Sequence, residues 1–392
     1  MDKTVKIGII GTGNMGTVHL GFFHAGNIPN AVVTAVADTD EIKLGKVRKL
    51  FPGEYTCYRS GEELIEKADV DAVIIATPHY SHPALAIAAF AKGLHVLSEK
   101  PSGVYTKQVR EMNKAAQESG KIFCVMFNQR KHFLHKKIKE LISGEEIGRV
   151  KRVNWIITNW FRTQHYYDSG QWRATWAGEG GGVLINQAIH QIDLLQWFTG
   201  MPQKVFAFCG YGKWHDIEVE DAVTAFLLYK NGATGVFVTT TGESNGTNRL
   251  EIFGSRGNLL LEGGVLTLKK YAQDENEFIK TCPNSFSQPE IAETQVFRQT
   301  DSFDCHKDIL CNFVAAIRGE EPLFVDGKEG INSVSLMNAM LLSSWLHKDV
   351  DLPIDEDLYF EELSKRIAES RAGQKKNVIG EIEDNTCSFG GF

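Results

Sequence analysis

Residues 5–16 read VKIGII-GTGNMG, an apolar run of strand length that breaks into glycines at positions 11, 13 and 16. A segment of helical length follows, carries Val18, Leu20, Phe22 and Phe23, and stops at Gly26. A second apolar run, Ala31 to Ala37, then ends on Asp38. The order is strand, glycine turn, helix and a second strand closing on an acid.

Each part of that order has a physical role. Gly11 permits a tight turn out of the strand, Gly13 has no side chain to hold a diphosphate off the backbone, and Gly16 lets the helix lie close to the sheet. The turn Gly11-Thr12-Gly13-Asn14-Met15-Gly16 then offers free N–H groups and the positive end of a helix dipole. Asp38 stands where an acid accepts hydrogen bonds from the adenosine ribose, and a carboxylate there repels a 2′-phosphate. The expected cofactor is therefore NAD rather than NADP. The competing reading is a nucleotide-free α/β domain whose first turn is rich in glycine.

At 392 residues the chain is long for one core, so two domains are expected. A formal net charge of −7 gives no general attraction to nucleic acid or to an anionic membrane. No apolar run approaches a membrane span, and Met1-Asp2-Lys3-Thr4 leads into a strand without a signal-peptide pattern. The seven cysteines are scattered without a CxxC pair, so neither a disulfide framework nor a cysteine zinc site is expected, and the expected compartment is the cytoplasm.

Strand–helix alternation continues after Asp38. Ser60-Gly61-Glu62-Glu63 has the spacing of a capping box, and Val70 to Ala76 reads as a strand buried on both faces, ending in Thr77-Pro78. Ser81-His82-Pro83 opens a helix, Leu94 to Ser98 forms a strand before Glu99-Lys100-Pro101, and a helix over 106–119 leads to a strand over 122–127. This predicts a doubly wound parallel sheet of about six strands over residues 1–127. Beyond Asn128 strands dominate. Two of them, 222–229 and 235–241, are joined through Asn231-Gly232, a hairpin signal. Residues 128–371 read as an α+β domain with an open, mostly antiparallel sheet and C-terminal helices, and 372–392 as a polar tail.

Lys100 follows a buried strand, at the edge where ligands bind in parallel sheets. A cation there can hydrogen-bond a substrate hydroxyl and steady a developing alkoxide; the plainer reading is a surface lysine in a loop. In Gly180-Gly181-Gly182-Val183-Leu184-Ile185-Asn186-Gln187-Ala188-Ile189-His190-Gln191-Ile192-Asp193, a helix is expected to begin just after the glycines. Asn186, His190 and Asp193 then share one face. A histidine can accept an alcohol proton, with Asp193 orienting its ring; the plainer reading is a capped helix with a satisfied histidine. Trp160 and Arg162 precede this stretch, as do Trp172 and Arg173. Aromatics there can stack on a sugar, and Arg173 can reach the cofactor. No metal site is expected.

The glycine fingerprint, the EKP tripeptide at 99–101 and the GGGxxxNxxxHxxD pattern at 180–193 occur together in this order. That combination resembles the glucose–fructose oxidoreductase / inositol dehydrogenase / rhizopine-catabolism (Gfo/Idh/MocA) family over about residues 5–365. The resemblance implies an N-terminal Rossmann domain and a substrate domain whose open sheet often forms an oligomer interface, hence a homo-dimer or homo-tetramer. It implies NAD(P)-dependent chemistry on sugars, cyclitols or their derivatives.

Residue by residue, it places the cofactor at the 11–16 turn, Asp38, Thr77, Pro78, His82, Glu99, Lys100, Asn128, Trp172 and Arg173, and Asn128, Arg130, Trp172 and Arg173 resemble the family's polar contacts between domains. His190 matches the family's catalytic histidine. Many members carry an aspartate where this chain has Asn186, so the base role falls on His190 or on neutral Lys100. The pattern looks like the branch with nucleotide-sugar and glycoside 3-dehydrogenases. The expected activity is oxidation of a secondary hydroxyl of a sugar, glycoside or polyol, including C3 of a glucoside or nucleotide sugar. Hydride passes to nicotinamide C4, and Lys100 and His190 are catalytic. Asn186, Asp193, Trp160 and Arg162 are on the substrate. The alternatives are a glycosidase that recycles bound NAD through oxidation and elimination, and a non-catalytic NAD- or sugar-sensing regulator.

Overall fold

The computed structural model describes residues 4–53, 55–299 and 304–371, which form two compact units. The expected tail at 372–392 lies outside the described residues.

The first unit holds β1 (Val5–Ile10), β2 (Ala31–Ala37), β3 (Thr56–Tyr58), β4 (Ala72–Ile75), β5 (His95–Ser98) and β6 (Phe123–Val125). Its helices are α1 (Asn14–His24), α2 (Glu41–Leu50), α3 (Gly61–Lys67), α4 (Ser81–Ala91) and α5 (Thr106–Ser119). The six strands are parallel in the order β3-β2-β1-β4-β5-β6. Every residue of β4 is buried, which explains its unbroken apolar run: helices cover both faces, so no polar face is needed. The order reverses between β1 and β4, and the carboxyl ends beside that reversal are where a doubly wound sheet binds ligand. Helix α3 starts as its capping-box spacing dictates. Ser60 accepts from the Glu63 N–H at 3.1 Å, and Glu63 accepts in return from the Arg59 N–H at 3.1 Å.

The second unit begins with α6 (Phe133–Ser143), β7 (Val150–Ile157), α7 (Gln164–Asp168) and α8 (Ile189–Thr199). Its sheet continues with β8 (Lys204–Tyr211), β9 (Glu220–Leu228), β10 (Thr234–Thr240), β11 (Asn248–Gly254), β12 (Gly257–Glu262) and β13 (Val265–Tyr271). In chain order then come α9 (Glu275–Thr281) and β14 (Ile291–Arg298) of this unit, α10 (Cys305–Ile317) of the first unit, α11 (Gly330–Leu346), which starts in the first unit and ends in the second, and β15 (Val350–Asp351) and α12 (Glu356–Ala368) of the second. The nine-stranded order is β14-β13-β12-β11-β7-β10-β9-β8-β15, antiparallel except where β7 and β10 pair in parallel. Alternation divides its faces. Val205, Ala207, Val223, Ala225, Leu227, Phe237, Trp155, Leu250 and Ile252 are buried, while Phe208, Phe226, Leu228 and Ile156 on the other face are 58, 48, 36 and 37% exposed. The β9–β10 hairpin turns at Gly232, whose φ of +83° suits glycine, and the Asn231 side chain accepts from the Ala233 N–H.

The division differs from the expected boundary at 127/128 in one respect. Gly178–Gly180 and Asp304–Val334, which include α10, belong to the first unit. A second crossing of the chain has no local signal, because α10 reads in sequence like any amphipathic helix. Strand β14 also escaped the sequence pattern, because it is an edge strand exposed along most of its length and lacks a clean alternation.

Candidate functional site

In the first unit the glycine turn is built to admit a ligand. Gly11 has φ +90°, and a Cβ there would meet the Ala76 carbonyl oxygen at 2.5 Å. A Cβ on Gly16 would lie 1.8 Å from the Gly11 carbonyl oxygen, whereas one on Gly13 would have nothing within 4 Å. No side chain caps α1 at Gly13, so its first N–H groups keep their donor capacity. Asp38 faces this turn, its Oδ2 accepting from the Thr12 N–H at 2.7 Å and hydroxyl at 2.9 Å. Its Oδ1 accepts from the Asp40 N–H at 2.9 Å. The open cradle at Gly13, the uncapped helix and an anchored carboxylate fit a dinucleotide.

At the ends of β4 and β5 lies a buried polar cluster. His19 of α1 and Glu99 meet at 2.7 Å between Nε2 and Oε1, with the His19 side chain fully buried and that of Glu99 nearly so. Burial by itself would raise the Glu99 carboxyl, but the hydrogen bond and charge of His19, helped by the charges of His306 and Lys100, outweigh it and bring it down to about 2. The other Glu99 oxygen accepts from the Lys100 N–H at 3.2 Å. Asn128 donates from Nδ2 to His306 Nδ1 at 3.2 Å, while its own Oδ1 is buried without a hydrogen-bond partner among the described residues. Burial pushes the His306 imidazole down to about 4, with Glu99 pulling the other way.

Glu99 thus serves Lys100 as a brace, and Lys100 itself is half-buried. His82, expected on the cofactor, is fully buried instead. Its ring nitrogens lie 2.8 Å from the Pro101 carbonyl oxygen and 2.7 Å from that of Thr77. That is a correction: His82 ties the end of β4 to the Lys100–Pro101 segment, and its imidazole has no face left for a ligand. Thr77, whose hydroxyl accepts from Ser81 at 2.7 Å, is half-buried, and Pro78 is exposed.

In the second unit, α8 begins at Ile189 rather than just after Gly182. Residues 183–188 form turns, with the Asn186 N–H on the Gly182 carbonyl at 3.1 Å and the Ala188 N–H on that of Val183 at 2.8 Å. Asn186 therefore precedes the helix, and His190 sits in its first turn. Within 179–196 only Asn186 and His190 are not buried.

Asp193 is the second correction. It is 1% exposed and receives Arg130 in two parallel bonds, Nε to Oδ2 at 2.7 Å and Nη2 to Oδ1 at 2.6 Å, with Gln196 donating at 3.1 Å. It anchors α8 through Arg130 and is spent before any substrate arrives. Arg130, expected among contacts between domains, is 1% exposed within this unit. Trp160 is the third correction, being 4% exposed and packed in the core, where a sugar cannot stack on it. Arg162, Tyr166, Trp172 and Arg173 are half-buried around one another.

Sequence reasoning missed His19, His306 and Tyr166. His19 lies three residues past Gly16 on the buried side of α1, and its partner is 80 residues away. No local pattern names such a partner. Among the described residues no group of three or more histidine, cysteine or acidic side chains is placed to hold a metal ion.

Residues 5–127 match the model of an oxidoreductase family with an NAD-binding Rossmann fold, and residues 135–260 match that of the GFO/IDH/MocA C-terminal domain. The chain belongs to the Gfo/Idh/MocA family of oxidoreductases. Its first unit is the family's NAD-binding domain. Myo-inositol 2-dehydrogenase of Thermotoga maritima is 28% identical over 83% of this chain and 92% of its own length. Levoglucosan dehydrogenase of Pseudarthrobacter phenanthrenivorans is 26% identical over 66% of this chain and 73% of its own. Among solved structures, the WlbA dehydrogenase of Bordetella pertussis, in complex with NADH and UDP-GlcNAcA, is 27% identical. It superposes with a TM-score of 0.75 over 90% of this chain and 100% of that one.

Proposed function

We propose that this family member is an NAD-dependent dehydrogenase that oxidises a secondary hydroxyl of a sugar, glycoside or polyol. The relatives above act, by their names, on inositol and levoglucosan, and the WlbA structure holds a nucleotide sugar, so C3 of a glucoside or nucleotide sugar lies within the range. NAD supplies the acceptor that takes hydride from the carbon bearing the hydroxyl. The residues that hold it are Gly11 to Gly16 and Asp38 at the adenosine end. Asn128, Trp172 and Arg173 are assigned to the cofactor by family position. Asp38 selects NAD over NADP by repelling a 2′-phosphate.

The observation that carries the reading is the pair Asn186 and His190, the only residues of 179–196 left partly open in an otherwise buried segment. His190 accepts the hydroxyl proton, Asn186 holds a neighbouring hydroxyl, and Lys100 donates a hydrogen bond to the reacting oxygen from a backbone braced by Glu99.

The test is NADH absorbance with NAD and a panel of sugars, glycosides, inositols and UDP-sugars. One class yields stoichiometric NADH, and Lys100→Ala and His190→Ala lower kcat by about 100-fold or more at an unchanged Tm. Full turnover in Lys100→Ala refutes the mechanism, and a glycoside consumed without net NADH refutes the dehydrogenase reading.

The exposed face of the second sheet supports a homo-dimer or homo-tetramer, because the partly exposed apolar side chains Phe208, Phe226, Leu228 and Ile156 are spread over it from β8 to β7. A monomer by light scattering at micromolar concentration excludes that assembly.

A further inference from the structure

Four side chains of the second unit, Trp160, Arg162, Tyr166 and Arg173, form a stack in which the oxidation gives a role only to Arg173, on the cofactor. The Arg162 guanidinium carbon lies 5.2 Å from the Tyr166 ring centroid and 5.7 Å from that of Trp160, and the Arg173 carbon lies 4.7 Å from Tyr166. The Tyr166 hydroxyl oxygen accepts from Arg173 Nη1 at 3.0 Å and from Gln187 Nε2 at 3.0 Å. Both acceptor positions of that oxygen are filled, so the phenol's remaining capacity is to donate its own proton. Gln187 adjoins Asn186 and precedes His190 by three residues, which ties the stack to the turn that carries them.

Arg162 is held but not neutralised. Its Nη1 donates to the carbonyl oxygens of Phe161 at 2.9 Å and Trp160 at 3.4 Å, and no carboxylate pairs with it among the described residues. The chain carries 49 acidic against 42 basic side chains, so carboxylates are not scarce. A half-buried guanidinium laid on aromatic rings has already lost much of its rotamer freedom. It presents its remaining N–H groups in a fixed plane, the geometry that matches a carboxylate or phosphate.

We propose that Arg162, with the Tyr166 hydroxyl, forms a subsite for an anionic substituent, carboxylate or phosphate, so that the preferred substrate is an acidic or phosphorylated sugar. The inference rests on the dehydrogenase reading for its turnover arm and on binding alone for its second arm.

The experiment compares methyl glucoside, methyl glucuronide and methyl glucoside 6-phosphate with NAD, using the wild type, Arg162→Gln and Arg162→Lys. An anionic member is expected to exceed the neutral one at least tenfold in kcat/KM, and to show which anion fits. Arg162→Gln collapses that ratio through KM, and Arg162→Lys restores part of it. A ratio near one in the wild type, or one unmoved by Arg162→Gln, overturns the subsite while leaving the dehydrogenase reading intact. So does an effect of Arg162→Gln that falls on the Kd of NAD instead. Where no member is oxidised, the dehydrogenase reading is in question, and the subsite is decided by titrating the NADH complex with the same three compounds by fluorescence. Anion-selective binding that depends on Arg162 supports it, and equal or absent binding overturns it.

Discussion

Two glycine-rich turns organise this protein, and they use glycine for opposite ends. At 11–16 a side chain on Gly13 would enter open space, with Asp38 and the uncapped start of α1 around it. At 180–182 the space is already filled by protein. A Cβ on Gly180 would lie 2.3 Å from Val104, and one on Gly182 would lie 2.0 Å from the Glu220 carbonyl oxygen. The Glu220 carboxylate also accepts from the N–H groups of Gly182 and Leu184, at 2.9 and 3.1 Å. The first turn leaves room for a ligand, while the second lets backbone pack on backbone and so fixes where Asn186 and His190 stand. A glycine run near a site is therefore no sign by itself of close approach to a ligand.

The largest effect should come from what holds the second turn's helix. Asp193→Ala removes the carboxylate that neutralises fully buried Arg130, and a loss of about 3–5 kcal/mol in chemical denaturation is expected. A loss below 1 kcal/mol would mean that α8 is not anchored there. Gly182→Ala drives a methyl into backbone that cannot swing aside, with an expected cost of about 3 kcal/mol read as a lower Tm.

Gly13→Ala is the counterpart. With φ −69° and open space it leaves Tm unchanged, yet weakens NAD by about thirtyfold, about 2 kcal/mol by calorimetry. If Gly13→Ala destabilises the fold while Gly182→Ala only weakens cofactor, the contrast is wrong.

A slope with pH divides more evenly between the two units. His135 in the second unit and His306 in the first have pKa values lowered by burial to about 3 and about 4. The unfolded chain therefore takes up their protons first, near an ordinary histidine value of about 6.5. Stability is full above that value and falls as pH drops toward the folded values, by about 1.4 kcal/mol per pH unit for each histidine. Glu99, with its pKa lowered to about 2, adds its own loss only below about pH 4.5. Urea midpoints between pH 7 and 5 check this. His82, His95 and His132 are lowered by burial as well and add to the slope, so His135→Asn should remove only one histidine's share of it, whatever its effect on stability at pH 7.

The first turn was legible because its signals are local. Strand, glycines, helix and acid lie within 38 residues, and the structure returns them in place with the six-stranded order that a dinucleotide sheet requires. The second was legible only as a pattern of residue types. Polar Asn186 and His190 stand out among apolar neighbours in the sequence, but the shared helical face drawn from their spacing does not exist, because α8 begins only at Ile189. That Asp193 turns to Arg130, 63 residues away, could not be expected.

Local order thus determined the fold class and the glycine turn with its acid, since hydrophobic periodicity and glycine conformations act over a few residues. Tertiary structure alone decided which polar side chains are spent on one another. His82 went to two carbonyl oxygens, Glu99 to His19, Asp193 to Arg130, and Trp160 into the core. Burying a polar group demands a partner, and the partner is chosen by which distant segments meet, which no short stretch of chain encodes.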